Sequence, residues 1–290
     1  MARMKSFWIA ILFVLTVLGA VPAMAQTAPT AVVIPPEVLQ AAAAAEAANG
    51  TDIYPGSTGI RADFTLTSMG DTVDIAPGDG TCADAGAGCT LRAAVMEANT
   101  LGGTHTITIP SGYAISLTLG VPNDNNANSG DIDIYADITI NGTGPGFARI
   151  ENTLADRIFH LINPGSKLSL KSMTLTKSGG ELIAGGAVLA NGGEFYADQI
   201  NVTSNTGLSG GGIALSATIF EIRSSTFMDN TGHGNGGALN IQNGSTGAII
   251  NTSIFGNHSV VTGSSFYPGG GLFVYGPADV DLIHSTITAN

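Results

Sequence analysis

From about residue 185 onward, apolar positions recur with period two in short runs. Val188/Ala190, Ile213/Leu215, Leu239/Ile241 and Leu272/Val274 form one series; Phe195/Ala197, Phe220/Ile222, Ile249 alone and Val280/Leu282 form a second. Alternation over so few residues predicts strands with one buried face. The runs are phased by a repeat of Gly-Gly, a tiny residue and an apolar residue: Gly185-Gly186-Ala187-Val188, Gly210-Gly211-Gly212-Ile213, Gly236-Gly237-Ala238-Leu239 and Gly269-Gly270-Gly271-Leu272, at spacings of 25, 26 and 33. Asparagines follow each copy 20 or 21 residues later, at Asn205, Asn230, Asn257 and Asn290, with Val202, Phe227, Ile254 and Ile287 three residues before them. A unit of about 25 residues cannot bury its apolar face alone, whereas stacked units bury a continuous core. The fold class expected is therefore all-β, a parallel β-helix. Strands of successive laps would lie about 4.8 Å apart, and the four asparagines would form a ladder inside a turn, themselves adopting the left-handed turn geometry that Asn tolerates. The Gly pairs would allow turns where a Cβ clashes. A sandwich of antiparallel strands is the alternative, but it gives no reason for asparagines in register. Ile107/Ile109, Ile132/Ile134, Ile138/Ile140 and Leu168/Leu170 read as earlier, less regular laps, and His258–Pro268 as a loop bulging from one lap.

An open solenoid end exposes unpaired backbone and needs a cover. Thr90–Asn99 predicts a capping helix: Leu91, Ala94, Val95 and Ala98 make one apolar stripe around Arg92, Thr90 is the N-cap, and Asn99 with Gly102-Gly103 the stop. The same stripe would also suit a surface helix against the side of the stack. The only cysteines, Cys82 and Cys89, favour a disulfide contributing about 2 kcal/mol in an exported chain.

The first 25 residues carry Arg3 and Lys5, an apolar run Phe7–Val21 and the small-x-small triplet Ala23-Met24-Ala25, the marks of a cleaved export signal. Residues 26–60 read as a spacer with a short Ala-rich helix, 61–178 as the cap and first irregular laps, and 179–290 as regular repeats that break off mid-pattern, as in a truncated chain. No later run suits a membrane-spanning helix, so none is expected in the mature chain. Composition narrows the partners. Ten Lys+Arg stand against 22 Asp+Glu, a net charge of −12, which argues against nucleic acid as a partner. Only 11% of residues are charged and 40 are Gly, fitting turn-rich β structure.

Two resemblances follow. The glycine motif and Phe227-Met228-Asp229-Asn230 are similar to the Gly-Gly-Ala-[Ile/Leu/Val] and Phe-x-x-Asn repeats of polymorphic outer-membrane proteins; the other three copies carry Val or Ile for Phe. That likeness implies a right-handed parallel β-helix displayed outside the cell, in a family whose passengers are usually anchored by a C-terminal barrel. Cys89-Thr90-Leu91-Arg92-Ala93-Ala94, preceded by Asp79-Gly80-Thr81-Cys82 and followed by Glu97-Ala98-Asn99, resembles the CSLREA domain over roughly residues 62–178, with Thr106–Pro110 and Gly130–Ile134 continuing the likeness. It implies an exported bacterial protein with β-helical repeats downstream. The glutamate of that signature is Ala93 here, which removes half of a capping box and favours a structural role for the motif.

Candidate chemistry is sparse. Asp124, Asn126, Asn128, Asp131 and Asp133 resemble a hard-cation loop, a possible Ca2+ site, without the final Glu of an EF-hand; an Asn-rich turn is the plain alternative. No other cofactor is expected. Asp198 and Arg223 would stack on adjacent laps as a surface ion pair, and the five histidines, at 105, 160, 233, 258 and 284, read as solvated or loop residues. No catalytic residue emerges. The expectation is a non-enzymatic protein, secreted or on the bacterial surface in association with the outer membrane, serving adhesion or envelope display toward glycans or cell-surface proteins. The alternative is a polysaccharide lyase or glycoside hydrolase of the pectate-lyase-like type.

Overall fold

The computed structural model describes residues 61–120, 125, 127–144, 146–180, 182–260 and 269–290. The export signal, the spacer helix, Asp124 and Asn126 lie outside them. The described chain is all-β with one helix. Its first and longest path of strands is β1 (Ala62–Thr65), β2 (Thr104–Ile109), β5 (Asp137–Gly142), β8 (Lys167–Thr176), β10 (Glu194–Thr203), β13 (Ile219–Arg223), β17 (Thr246–Ile250) and β21 (Asp279–Ile283), each bonded to the next. A second path in the same sheet runs through β3 (Ala114–Leu117), β6 (Ala148–Asn152), the far halves of β8 and β10, then β14 (Thr226–Met228), β18 (Ser253–Phe255) and β22 (Thr286–Thr288). A separate six-stranded sheet holds β4 (Ile132–Ile134), β7 (Phe159–Leu161), β9 (Val188–Asn191), β12 (Ile213–Ser216), β16 (Leu239–Gln242) and β20 (Leu272–Val274). A small third sheet pairs β11 (Thr206–Gly207), β15 (Thr231–Gly232) and β19 (His258–Ser259).

Every pairing among these strands is parallel. An antiparallel sandwich is thereby excluded for the described residues, and the arrangement is compatible with a β-helix. Because a strand always meets its counterpart one lap on, like residues stack. Leu175, Val202, Phe227, Ile254 and Ile287 form one inward column; Leu170, Ala197, Ile222, Ile249 and Leu282 form another. Ile249 stands alone in its run because Gly247 occupies the place of Phe195 and Phe220 in a third column. A Cβ on Gly247 would lie 1.9 Å from the Phe220 carbonyl oxygen and 2.8 Å from its ring, so the glycine makes room for the aromatic one lap earlier.

The four asparagines are joined in file. Asn205 Nδ2 donates to Asn230 Oδ1 (2.9 Å), Asn230 Nδ2 to Asn257 Oδ1 (2.8 Å) and Asn257 Nδ2 to Asn290 Oδ1 (2.8 Å). Each acceptor oxygen also takes the backbone N–H of the preceding asparagine, and each amide donates inward to a carbonyl of the previous lap, Leu175, Val202, Phe227 or Ile254. Ser178 begins the file, its hydroxyl bonding Asn205 Oδ1 at 2.7 Å. One expectation is corrected: the asparagines are not the left-handed residues. Those are Lys177, Ser204, Asp229, Gly256 and Ala289, each immediately before a file member, with φ of 51°, 57°, 54°, 65° and 50°. The residue ahead turns the chain so that the Asn side chain points inward. Asn205, Asn230 and Asn257 are wholly buried, where unmet amide groups are costly. The Asn230→Ala variant is expected to lose about 3 kcal/mol, because it strands donors and acceptors on both neighbouring laps. Asn230→Ser should lose less, since Ser178 already serves at the head of the file. Urea denaturation measures both.

Candidate functional site

The described chemistry concentrates at the end of the stack where β1 and β4 are the outermost strands. The helix α1 (Leu91–Leu101) runs two residues past Asn99 and is capped by Gly102, one of the two glycines expected to stop it, with φ 62°. Its N-cap Thr90 accepts the Ala93 N–H at 3.1 Å and donates to the Thr72 carbonyl at 2.7 Å, so half a capping box suffices once a loop supplies the rest. The expected apolar stripe is buried, and so are Arg92, Ala93 and Glu97, because loops cover the helix beyond its core-facing side. Cys82 and Cys89 form a disulfide that closes one of these loops beside the N-cap. Glu97 accepts the N–H groups of Gly78 and Gly80.

Of two polar side chains on α1, Asn99 meets the outer edge of β4 and Arg92 the turn that leads into it. Asn99 Nδ2 donates to the Asp133 carbonyl at 2.7 Å, and its Oδ1 accepts the Tyr135 N–H at 2.9 Å. Arg92 donates to the carbonyls of Ala127 (3.0 Å), Gly130 (2.9 Å) and Asp131 (3.4 Å), and is paired twice with Asp71, at 2.6 and 3.2 Å. Asp71 also takes the N–H groups of Thr118 and Leu119. The helix therefore satisfies a sheet edge that would otherwise be open, which decides between a cap and a helix on the side of the stack.

Of the expected cation ligands, Asn128 is exposed, whereas Asp131 and Asp133 are wholly buried. Asp131 Oδ2 lies 3.2 Å from Arg157 Nη1, and Asp133 Oδ1 lies 3.3 Å from His160 Nδ1. One donor atom each from Asp131, Asp133 and His160 fall within 4.8 Å of one another. The far ring nitrogen of His160, Nε2, is 3.3 Å from Asn191 Nδ2. His160 and Arg157 were not expected here. His160 is only 7% exposed, not solvated, and His105 is also buried, bonded by Ala62 N–H and the Gly102 carbonyl. The signal was available: Ile132-Asp133-Ile134 and Phe159-His160-Leu161 are equivalent apolar-x-apolar runs on adjacent laps. Register places Asp133 opposite His160, a relation that spacing along the chain does not reveal. Asp198 and Arg223 are register neighbours, but Arg223 pairs with Glu221, two residues away on the same strand face, where no lap-to-lap reach is needed.

No protein-family model matches the sequence, and comparison with curated proteins and with solved structures finds no match.

The carboxylates outside this cluster have simpler roles. The Thr72 hydroxyl and the Gly88 and Gly86 N–H groups hold the Asp84 carboxyl below its ordinary range; Ser116 and Arg149 do the same for Glu151. Burial pushes Asp137 up. For Asp84 and Glu151 the folded form is the stronger acid, so their stabilising share is full above the unfolded-state value and is lost as pH falls through the folded one. Asp137 acts in the opposite sense. In thermal melts below about pH 4, Asp84→Asn is expected to lose melting temperature less steeply than the parent. A second outcome concerns Arg92, whose side chain is 0% exposed against 1% for Asp71. Removing one partner of such a pair costs about 3–5 kcal/mol, so Arg92→Ala should unfold at markedly lower urea.

Proposed function

We propose that this chain is an exported, non-enzymatic protein built on a right-handed parallel β-helix under a CSLREA-type cap, and that its outward strand faces serve display or adhesion. The observation that carries this reading is the regularity of those faces. On the second strand path, Arg149, Thr174, Asn201, Thr226, Ser253 and Thr286 stand in one outward column, one per lap. Neighbours across parallel strands are about 4.8 Å apart, so from Thr174 to Thr286 the column is a regular array of short polar side chains, with Arg149 at its head. Such an array suits an extended polymer or a second surface contacted at many weak points, where avidity replaces a single deep pocket.

The cap residues support the CSLREA reading by having the structural work that a signature motif needs: Thr90 caps, Leu91, Ala94, Val95 and Ala98 pack, and Arg92 ties the helix to the turn before β4. A lyase has less support, since Asp131 and Asp133, the convergent carboxylates among the described residues, are wholly buried and out of a polymer's reach.

The test is a screen of the protein on immobilised glycans and on cell surfaces, run beside incubation with acidic polysaccharides. Binding that falls at least tenfold in Thr226→Arg, on the polar column, but not in Gln242→Arg, on the other sheet, is the expected outcome. Release of unsaturated sugar ends, or no binding to any surface, would overturn the proposal.

A further inference from the structure

We propose that Asp131, Asp133 and His160 bind a divalent transition-metal ion, zinc in the first instance, which fastens β4 to β7 at the capped end of the stack. This proposal is independent of the display function.

Three observations carry it. The first is the donor set. Two carboxylates and an imidazole converge within 4.8 Å of one another, and the set is wholly buried apart from 7% of His160. An imidazole with two carboxylates suits zinc and its first-row neighbours, whereas calcium takes six to eight oxygens. The Ca2+ ligand set expected from the sequence is thus redrawn: Asp131 and Asp133 stay, exposed Asn128 leaves, and His160 joins.

The second is a contact that is wrong for an ion pair. A protonated imidazole on a carboxylate makes an aligned hydrogen bond of about 2.7–2.9 Å. Asp133 Oδ1 and His160 Nδ1 are instead 3.3 Å apart, and this buried Nδ1 makes no hydrogen bond. Two ligands each about 2.0–2.1 Å from a tetrahedral zinc stand roughly 3.3–3.4 Å apart. The separation is that of two ligand atoms sharing an ion.

The third is the support behind the imidazole. When Nδ1 binds a metal, Nε2 keeps its proton and donates; the Asn191 side-chain amide, one lap further on and 3.3 Å from Nε2, receives that proton when its Oδ1 faces the ring, the orienting arrangement that metal-bound histidines use. Arg157 beside Asp131 offsets part of the negative charge of the two carboxylates before an ion arrives.

The purified protein, without an affinity tag, is loaded with Zn(II) or Co(II), dialysed and assayed for metal. The expected result is one equivalent per chain, with the visible bands of tetrahedral Co(II), displaced by zinc. His160→Asn and Asp133→Asn should retain less than a tenth of that metal, while His258→Asn retains all of it. Exposed Asn191 provides a variant that spares the core: Asn191→Ala should weaken zinc affinity about tenfold or more with an unchanged circular dichroism spectrum. In the unmutated protein, zinc should shift the His160 ring resonances and raise the melting temperature, and a chelator should reverse both. No retained metal, binding of calcium in place of zinc, or retention by the His160 and Asp133 variants equal to that of the unmutated protein would overturn the proposal.

Discussion

Parallel, in-register stacking is the constraint on which the rest of this structure depends. Each strand bonds to its counterpart one lap away, so a residue's closest neighbours are its equivalents in the laps before and after. Chemistry that is tolerable once must therefore be tolerable in a column. Aliphatic columns do this by dispersion and burial. The Asn205–Asn290 file does it because a primary amide carries both donor and acceptor, so each member satisfies the next. The same constraint limits size. At Gly186, Gly211 and Gly237 a Cβ would stand 1.9–2.2 Å from the carbonyl oxygen of the corresponding glycine one lap on, so the second glycine of the motif is required by the neighbouring backbone.

Stacking also creates ends. A terminal lap has backbone groups with nothing beyond them and apolar side chains with one side bare. The first lap is relieved by α1, whose polar residues do the work as much as its apolar stripe. Asn99 reaches the Asp133 carbonyl in β4, Arg92 the carbonyls of the turn just before it, and Glu97 holds the loop that carries Gly78 and Gly80. Burying a guanidinium is unfavourable unless its charge and its hydrogen bonds are all met, and Asp71 with three carbonyls meets them.

This division of labour bears on function. Inward polar groups hold laps together, the charged cluster under the cap joins the first laps, and the outward positions are left free to vary. A scaffold of this kind can present a long, regular surface without a cleft, because stability resides in columns that do not face the solvent.

How much of this the residues alone disclosed follows from the range of the interactions. Period-two runs, the glycine motif and the phased asparagines determined a stack of parallel strands, since each is a local pattern repeated at constant spacing. The helix stripe and Thr90 likewise determined a helix, because a helix brings residues three and four apart onto one face, but not whether it covers the end or the side of the stack. What the chain order concealed was contact between laps. Ile-Asp-Ile and Phe-His-Leu are unremarkable runs until register lays Asp133 on His160, and Arg92 is an ordinary helix residue until the turn before β4 brings carbonyls to it. His105 and His160 were misjudged for the same reason. Ala62 reaches His105 from 43 positions away and Asn191 reaches His160 from 31, and only the tertiary winding decides such meetings.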